Sequence, residues 1–355
     1  MVRFRHLIIP VQLIFLGFSR RGSPDFVFIT GVFVFSAFQA ALVFLGSYID
    51  GTWRMAPGDK GLLVHYGVWA ILISDPLLLI SASFAWFQFR TAFQYLPLRN
   101  GSDNRLLVRK IVRPYRDFVT LKGYGSLLYL GLLSLGFLSW LNNLRQTSDP
   151  VRYFKHNVFD STEFIYGFAA NKLVLFTSWV LIYPAVGFVI LSMGLSTYFI
   201  LNKFAAARIM QPNIFHPDGC YGFSSLGRLN ICLLVPYFFA FFVALAILIT
   251  HESIYPSIVI PLVFLTGVLL TISYVTIKPI VSQVKVAERT CYKKLINDSM
   301  ILNVYGHNTL KFGLERICFA LSSSSPYSKG TKSLLVAMRA IPVMTTVFKL
   351  ALSLA

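Results

Sequence analysis

Between Leu173 and Ile200 the chain reads LVLFTSWVLIYPAVGFVILSMGLSTYFI, a run that contains no Asp, Glu, Lys or Arg. A helix needs about 20 mostly apolar residues to cross a hydrocarbon core that is about 30 Å thick. Backbone groups in lipid have no water to bond, so a run of this kind must pair its N–H and C=O groups internally. The run therefore predicts a membrane-spanning helix.

The composition of the whole chain agrees with this prediction. Of the 355 residues, 56% are hydrophobic and only 13% are charged, and the mean hydropathy is +0.66. Ordinary globular domains are about a quarter charged. A chain so poor in charge cannot cover itself in water, which excludes a secreted, fibrous or disordered protein. We expect an all-α, polytopic membrane bundle.

Further runs satisfy the same length test: Phe26–Ser47, Leu62–Phe89, Gly125–Asn142, Asn230–Thr250 and Ser257–Val281. About six spans are therefore expected. They divide the chain into three parts. Residues 1–25 form a cytoplasmic or interfacial segment, residues 26–281 form the bundle with a basic loop at 90–124, and residues 282–355 form a helical cytoplasmic region.

Two apolar segments flank the bundle. Leu7–Phe18 has only twelve residues and is followed by an arginine pair instead of a cleavage site, so we expect a retained interfacial or re-entrant helix and not a signal peptide. Leu334–Ala355 is long enough to span, but two basic residues and a proline interrupt it. We expect this segment to pack on its neighbours or to lie on the membrane surface.

The distribution of basic residues predicts the orientation. The formal net charge is +18, from 32 Lys and Arg against 14 Asp and Glu. With the N-terminus inside, 26 of the basic residues fall in or next to the inner segments, and the outer loops balance six basic residues with six acidic ones. Cytoplasmic loops carry the excess of Lys and Arg. We expect six spans with both termini in the cytoplasm.

The loop at 90–124 predicts a basic helix face. Arg105, Arg109 and Arg113 are four residues apart, so a helix would align them on one side, close to Arg116. Pro114 is expected to end or kink that helix. Guanidinium groups suit phosphate, and the aromatic residues interleaved with them can stack on bases, which favours a nucleotide or oligonucleotide ligand.

The tail repeats this spacing. Lys285, Arg289 and Lys293 are again four residues apart in an expected extension of the last span. In an oligomer the two rows could converge into a positive basin, and together they form the expected ligand-binding set. The alternative is that the basic residues only contact anionic lipid headgroups.

Asp75 is the only acidic residue within a predicted span, and intramembrane ionisable residues are by default functional hypotheses. It could line an aqueous path and attract cations. It could instead accept hydrogen bonds at a helix break made by Pro76, or pair with His65 or a basic residue. Ser192, Ser196 and Thr271 belong to spans rich in hydroxyl groups, which either line a pore or join helices.

A turn lies between the fourth and fifth spans, in the stretch FHPDGCYG at 215–222. Pro-Asp-Gly is a strong turn signal, so His216 and Asp218 belong either to a tight cytoplasmic turn or to a gate at the inner mouth. Elsewhere the four cysteines lack CxxC spacing, the histidines lack HExxH, and no phosphate-binding glycine loop occurs. We expect neither an enzyme nor a bound metal or cofactor.

The stretch His-Pro-Asp-x-x-x-Gly resembles one in little-characterised bacterial membrane proteins, with Tyr221-Gly222 where those proteins often have Gly-Gly. The overall plan is also similar to channel-type membrane effectors of bacterial anti-phage defence (Hailong-like), which are paired with a nucleotidyltransferase. With the basic cytoplasmic face, the polar residues in the spans and the lack of catalytic groups, we expect a homo-oligomeric ion channel of the inner membrane, taken as a tetramer, gated by a nucleotide or oligonucleotide. The alternative function is a small-molecule or lipid carrier.

Overall fold

A computed structural model describes residues 24–49, 66–94, 102–148, 176–212, 220–250 and 281–286, and single positions at 11, 14, 15, 17, 96, 173, 174, 267, 271, 278, 290, 336 and 340. Every regular element within them is a helix. The α-helices are α1 (Phe26–Ile49), α2 (Tyr66–Ala92), α3 (Ser102–Val119), α4 (Tyr124–Ser148), α5 (Tyr183–Ala206) and α6 (Ser224–Thr250). A π-helical segment, Thr177–Ile182, runs directly into α5.

The described part of the chain contains five helical stretches that are long and apolar enough to cross a membrane. They lie in α1, in α2, in the α3–α4 region with α4 as its apolar part, in the π-helical segment with α5, and in α6. They correspond to five of the six predicted runs. The sixth, Ser257–Val281, lies outside the described residues except at Gly267, Thr271, Lys278 and Val281.

The outer surface of the bundle is apolar, as α1 illustrates. Phe28, Val32 and Val43 are buried on one side of this helix, whereas Phe26 is 80% exposed and Phe33 is 72% exposed. Large contiguous apolar surfaces are rare on soluble monomers and mark contact with a membrane or another protein. The bundle is therefore that of a membrane protein.

Helix α2 lies at the centre, packed along α6 and in contact with α1 and α5. At its C-terminal end the Phe93 ring meets the Phe204 ring of α5 at 6.4 Å between centroids. The Ser225 hydroxyl of α6 donates to the Ala92 carbonyl at 3.2 Å. The end of α2, the end of α5 and the start of α6 thus lie together, and we call this the basic end for the charges described below.

Helix α3 lies at the basic end, between α2 and α4 in the chain, and packs on α5. Its apolar side meets the core through Val108, Ile111 and Tyr115, and the Tyr115 ring stacks on Phe199 at 6.1 Å. The predicted helix is present. Pro114 does not end the helix, because α3 continues to Val119, and the other expectation, a kink at Pro114, stays a prediction. Pro114 is exposed, so solvent can bond the carbonyl that proline leaves without an N–H partner.

Three of the described residues of the N-terminal segment, Val11, Ile14 and Gly17, are buried in the bundle, whereas Pro24 is exposed. Val11 and Ile14 are fully buried in the main core. The Ser83 hydroxyl of α2 donates to the Ile14 carbonyl at 2.8 Å, and a side chain at Gly17 would clash with Ser83. Whether the segment is interfacial or re-entrant stays a prediction, since most of its residues lie outside the described ones.

A buried carboxylate site and a basic helix face

Asp75 is fully buried in α2. The helix runs without interruption from Tyr66 to Ala92, with Pro76 inside it, so the interpretation that Pro76 breaks the helix was wrong. Proline is tolerated within a span where neighbouring helices, hydroxyl groups or local adjustments re-satisfy the backbone. The interpretation that Asp75 pairs with His65 falls on a residue outside the described ones.

Three elements supply the partners of the Asp75 carboxylate. Gln39 of α1 donates from Nε2 to Asp75 Oδ2 at 2.8 Å, and Ser178 of the π-helical segment donates from Oγ to the same oxygen at 2.6 Å. Gln39 Nε2 also donates to Thr177 Oγ1 at 3.0 Å and lies 3.3 Å from Ser178 Oγ. Tyr183 interacts with the carboxyl as well. We call Asp75, Gln39, Thr177 and Ser178 the Asp75 site.

Two acceptor oxygens of this site remain without a hydrogen-bond donor among the described residues. They are Asp75 Oδ1 and Gln39 Oε1, and the adjacent Ser74 Oγ is likewise unpaired within that part of the chain. A buried polar atom without a partner costs about 1–3 kcal/mol, so native proteins rarely leave several together. These two oxygen atoms can therefore bind a positively charged group or accept a hydrogen bond from a further donor.

The π-helical segment positions two of the four side chains. The backbone N–H of Tyr183 bonds the Ser178 carbonyl, five residues back, and the Thr177 hydroxyl donates to the Val174 carbonyl at 2.8 Å. Single π-helical turns inside α-helices are frequent at functional sites. Helix α4 approaches closely here, because a Cβ at Gly136 would clash with the Trp179 carbonyl and meet Pro184 Cγ at 3.0 Å.

The basic helix face is formed by α3. Arg109, Arg113 and Arg116 are exposed on it, and Arg105 lies in the same helix. At about 100° per residue these four arginine positions fall within an arc of about 80° of the helix, beside the apolar side. Asp117, also on α3, is paired with Lys122 at 3.1 Å.

Other cations lie at the same end of the bundle. Lys203, Arg208 and Arg228 are exposed at the end of α5 and the start of α6. Lys203 Nζ stands 5.2 Å from the centre of the Tyr115 ring, which joins this charge to α3. The exposed cations of α3, the end of α5 and the start of α6 therefore lie at the same end of the bundle.

Other predicted site residues lie apart from Asp75 or outside the described chain. Ser192 is buried and donates to Val189 of its own helix at 3.1 Å, while Ser196 is buried with an Oγ that has no partner in the described part. Thr271 is exposed and donates to the Gly267 carbonyl at 2.8 Å, and Lys285 is exposed. Four predicted residues lie outside the described ones: His216, Asp218, Arg289 and Lys293.

Gln39, Thr177 and Ser178 were not predicted as site residues, although Thr177 and Ser178 belong to one of the spans rich in hydroxyl groups. A signal for Gln39 was present, because it is the only amide side chain in an otherwise apolar span. Polar side chains within membrane helices commonly bond across to other helices. Its partner could not be identified from spacing, since Gln39 and Ser178 are 139 residues apart.

Comparisons with protein-family models, with curated proteins and with solved structures find no match to this chain.

Proposed function

We propose that the protein is a homo-oligomeric ion channel of the bacterial inner membrane, gated by an anionic nucleotide or oligonucleotide at the basic end. In this proposal the chain has six spans and both termini face the cytoplasm. The basic residues of α3 and of the tail bind the ligand, and Asp75 attracts cations to the conduction path. A nucleotidyltransferase that makes the ligand is the expected partner, and no catalytic role is assigned.

The observation that carries this proposal is the exposed arginine row on α3. Asp117, the acid on α3 with a described side chain, forms its ion pair with Lys122 and not with these arginines. Guanidinium groups in a row suit the regularly spaced phosphates of a nucleic-acid strand. Together with Lys203, Arg208 and Arg228, the row supports a positive basin that concentrates anions.

A mechanical route from the ligand to the path supports gating. Helix α3 is packed on α5 through Tyr115 and Phe199, and α5 is continuous with the π-helical segment that holds Ser178 against Asp75. A ligand can shift a channel between closed and open states only when it binds one of them more tightly. A ligand that displaces α3 can therefore affect the Asp75 site through the contacts of α3 with α5.

The test is a planar-bilayer recording of the purified chain before and after short single-stranded oligonucleotides are added. The expected result is a current that the oligonucleotides switch on or off. Replacing Arg109, Arg113 and Arg116 together by Gln should abolish the switching. A comparison variant removes three charges from the same end but off α3, by replacing Lys122, Arg208 and Arg228 with Gln. It should lose less of the switching than the α3 variant, because these residues contribute to the surrounding potential and not to the arginine row.

A second candidate function is a carrier for a small molecule or lipid, favoured by the Asp75 site. Buried polar groups at an irregular helix segment are typical of transporter binding sites. In a carrier the basic end would contact only anionic headgroups. Saturable uptake into vesicles without measurable current, unaffected by the three Arg→Gln replacements, would decide for the carrier.

A further inference from the structure

We propose that the Asp75 site binds a single sodium ion, with Asp75 Oδ1 and Gln39 Oε1 as its anchoring ligands. The inference rests on the proposed function, because it names the cation for which the conduction path holds a site. It starts from a geometric fact. Both donors with defined hydrogen bonds converge on Oδ2 of the carboxylate. Tyr183 also interacts with the carboxyl, and Oδ1 has no hydrogen bond of defined geometry among the described residues.

The donors with a defined hydrogen bond to the carboxyl are neutral. Ser178 Oγ donates to Asp75 Oδ2 at 2.6 Å. Gln39 Nε2 adds a second donor at 2.8 Å. None of the side chains with a defined bond to the carboxylate is cationic. A buried carboxylate without a counter-charge is strongly unfavourable, so a cation there would relieve the imbalance.

The remaining ligands are hard oxygen atoms. Gln39 Oε1 is a carbonyl oxygen without a donor among the described residues. The Thr177 hydroxyl donates its hydrogen bond to the Val174 carbonyl, and the Ser178 hydroxyl donates its hydrogen bond to Asp75. Each hydroxyl oxygen also accepts from Gln39 Nε2, at 3.0 Å for Thr177 and 3.3 Å for Ser178, which leaves one lone pair on each that can face a cation. Carboxylate, amide and hydroxyl oxygens are the ligands that hard cations prefer.

The charge of the site selects a monovalent ion. Asp75 is its single acid, and within the described residues no cluster of three or more His, Cys, Asp or Glu side chains occurs. Divalent and transition metals are usually held by several anionic or imidazole ligands. One carboxylate balances one positive charge, which a sodium ion supplies.

The experiment measures binding of radioactive ²²Na⁺ to the purified full-length chain in detergent, with choline chloride replacing sodium chloride to keep ionic strength constant. We expect saturable binding of one ion per chain, displaced by unlabelled Na⁺ and not by choline. Asp75→Asn keeps the shape and removes the charge, and should weaken binding at least about tenfold. Gln39→Leu, which removes the carbonyl ligand, should weaken it as well.

The matched control is Ser81→Ala. The Ser81 hydroxyl also lies in α2 and is partly buried, but it donates to the Leu78 carbonyl of its own helix at 3.0 Å. Binding by this variant should equal that of the unmodified chain. Gel filtration and tryptophan fluorescence verify folding, and if Asp75→Asn does not fold, Gln39→Leu and Ser178→Ala provide the comparison.

Absence of saturable ²²Na⁺ binding, or equal binding by the Asp75 site variants and the control, would overturn the sodium site. Uptake of a proton by Asp75 with no sodium binding would overturn it too, because the occupant would then be H⁺. Oligonucleotide-switched current without sodium binding rejects this inference and leaves the channel intact. Sodium binding without current supports the site and removes the channel.

Discussion

At the scale of single residues, Asp75 and Gln39 show how a polar pair is held in an apolar bundle. Both side chains are fully buried, and their direct hydrogen bond at 2.8 Å connects α1 to α2. The buried side of α1 carries only two polar residues, Gln39 and Ser47. The position of α1 on the bundle therefore depends strongly on this contact.

Breaking the pair one partner at a time should destabilise the protein. Gln39→Leu leaves Asp75 Oδ2 with the Ser178 hydroxyl alone, and we expect a loss of about 1–3 kcal/mol in the free energy of unfolding. The double variant Gln39→Leu/Asp75→Leu should recover much of this loss, because two apolar groups leave no buried charge. Denaturant unfolding in detergent measures both. Strictly additive losses would contradict the expected coupling.

Glycines on α4 give a second prediction at residue scale. Gly136 faces the Trp179 carbonyl of the π-helical segment, and a methyl group there would force the two elements apart. Gly136→Ala should cost about 1–3 kcal/mol. Gly131→Ala is the control on the same helix, because no atom lies within 4 Å of its Cβ position.

The expected outcome for the control is neutral or stabilising by about 0.5–1 kcal/mol, since Ala favours the helix over Gly. Thermal unfolding of the two variants side by side makes the comparison. Equal stability of Gly136→Ala and Gly131→Ala would show that the close approach of α4 is not needed.

At the scale of elements, α3 combines two functions on opposite sides. One side packs on α5 through Tyr115, and the other exposes Arg109, Arg113 and Arg116. The four-residue spacing was sufficient to predict this helix and its basic face. The end of the helix was not predictable, since the penalty of Pro114 depends on whether solvent can reach the freed carbonyl.

If α3 binds phosphates, its affinity for an oligonucleotide must depend on salt. Each phosphate neutralised on a single strand contributes about −0.7 to the slope of log K against log salt concentration. Replacing the three exposed arginines by Gln should make that slope shallower by about 2. Fluorescence anisotropy of a labelled oligonucleotide over a salt series measures it. The triple variant of Lys122, Arg208 and Arg228 should change the slope less, and an unchanged slope in the α3 variant would exclude α3 as the binding face.

At the scale of the whole molecule, the described positive charges are concentrated at one end of the bundle. The described cations of α3, α5 and α6 lie together, whereas the opposite ends of α1 and α2 show none among residues with described side chains. Under the positive-inside rule, the proposed orientation places this basic end in the cytoplasm.

Cysteine accessibility tests this orientation in intact cells. In a chain whose four cysteines are replaced by Ser, Arg113→Cys at the basic end should react with a membrane-impermeant maleimide only after the cells are opened. Tyr48→Cys, at the far end of α1 and exposed, should react from outside. Reversed labelling of the two positions would invert the topology.

The helices could be predicted from the sequence because the requirements for crossing a membrane apply to each segment separately. Twenty apolar residues must bond their own backbone wherever the rest of the chain lies, and so five of the six predicted runs reappear as α1, α2, α4, α5 with the π-helical segment, and α6. The charge bias was readable for the same reason. Which helices pack together was not readable, since every apolar face of such a bundle suits lipid and protein alike.

Asp75 illustrates the difference between what the sequence can predict and what only the tertiary structure shows. Its presence in a span was evident from its position alone, because a charge in lipid is costly wherever it occurs. Its partners depend on how α1, α2 and the π-helical segment pack, which brings Gln39 and Ser178 to one carboxylate oxygen and leaves the other without a donor in the described structure. The sequence by itself determined a basic, multi-span helical membrane protein with a buried acid. Only the tertiary structure decided that this acid belongs to a three-element polar site, since hydrogen bonds between residues far apart in the chain leave no periodic pattern in it.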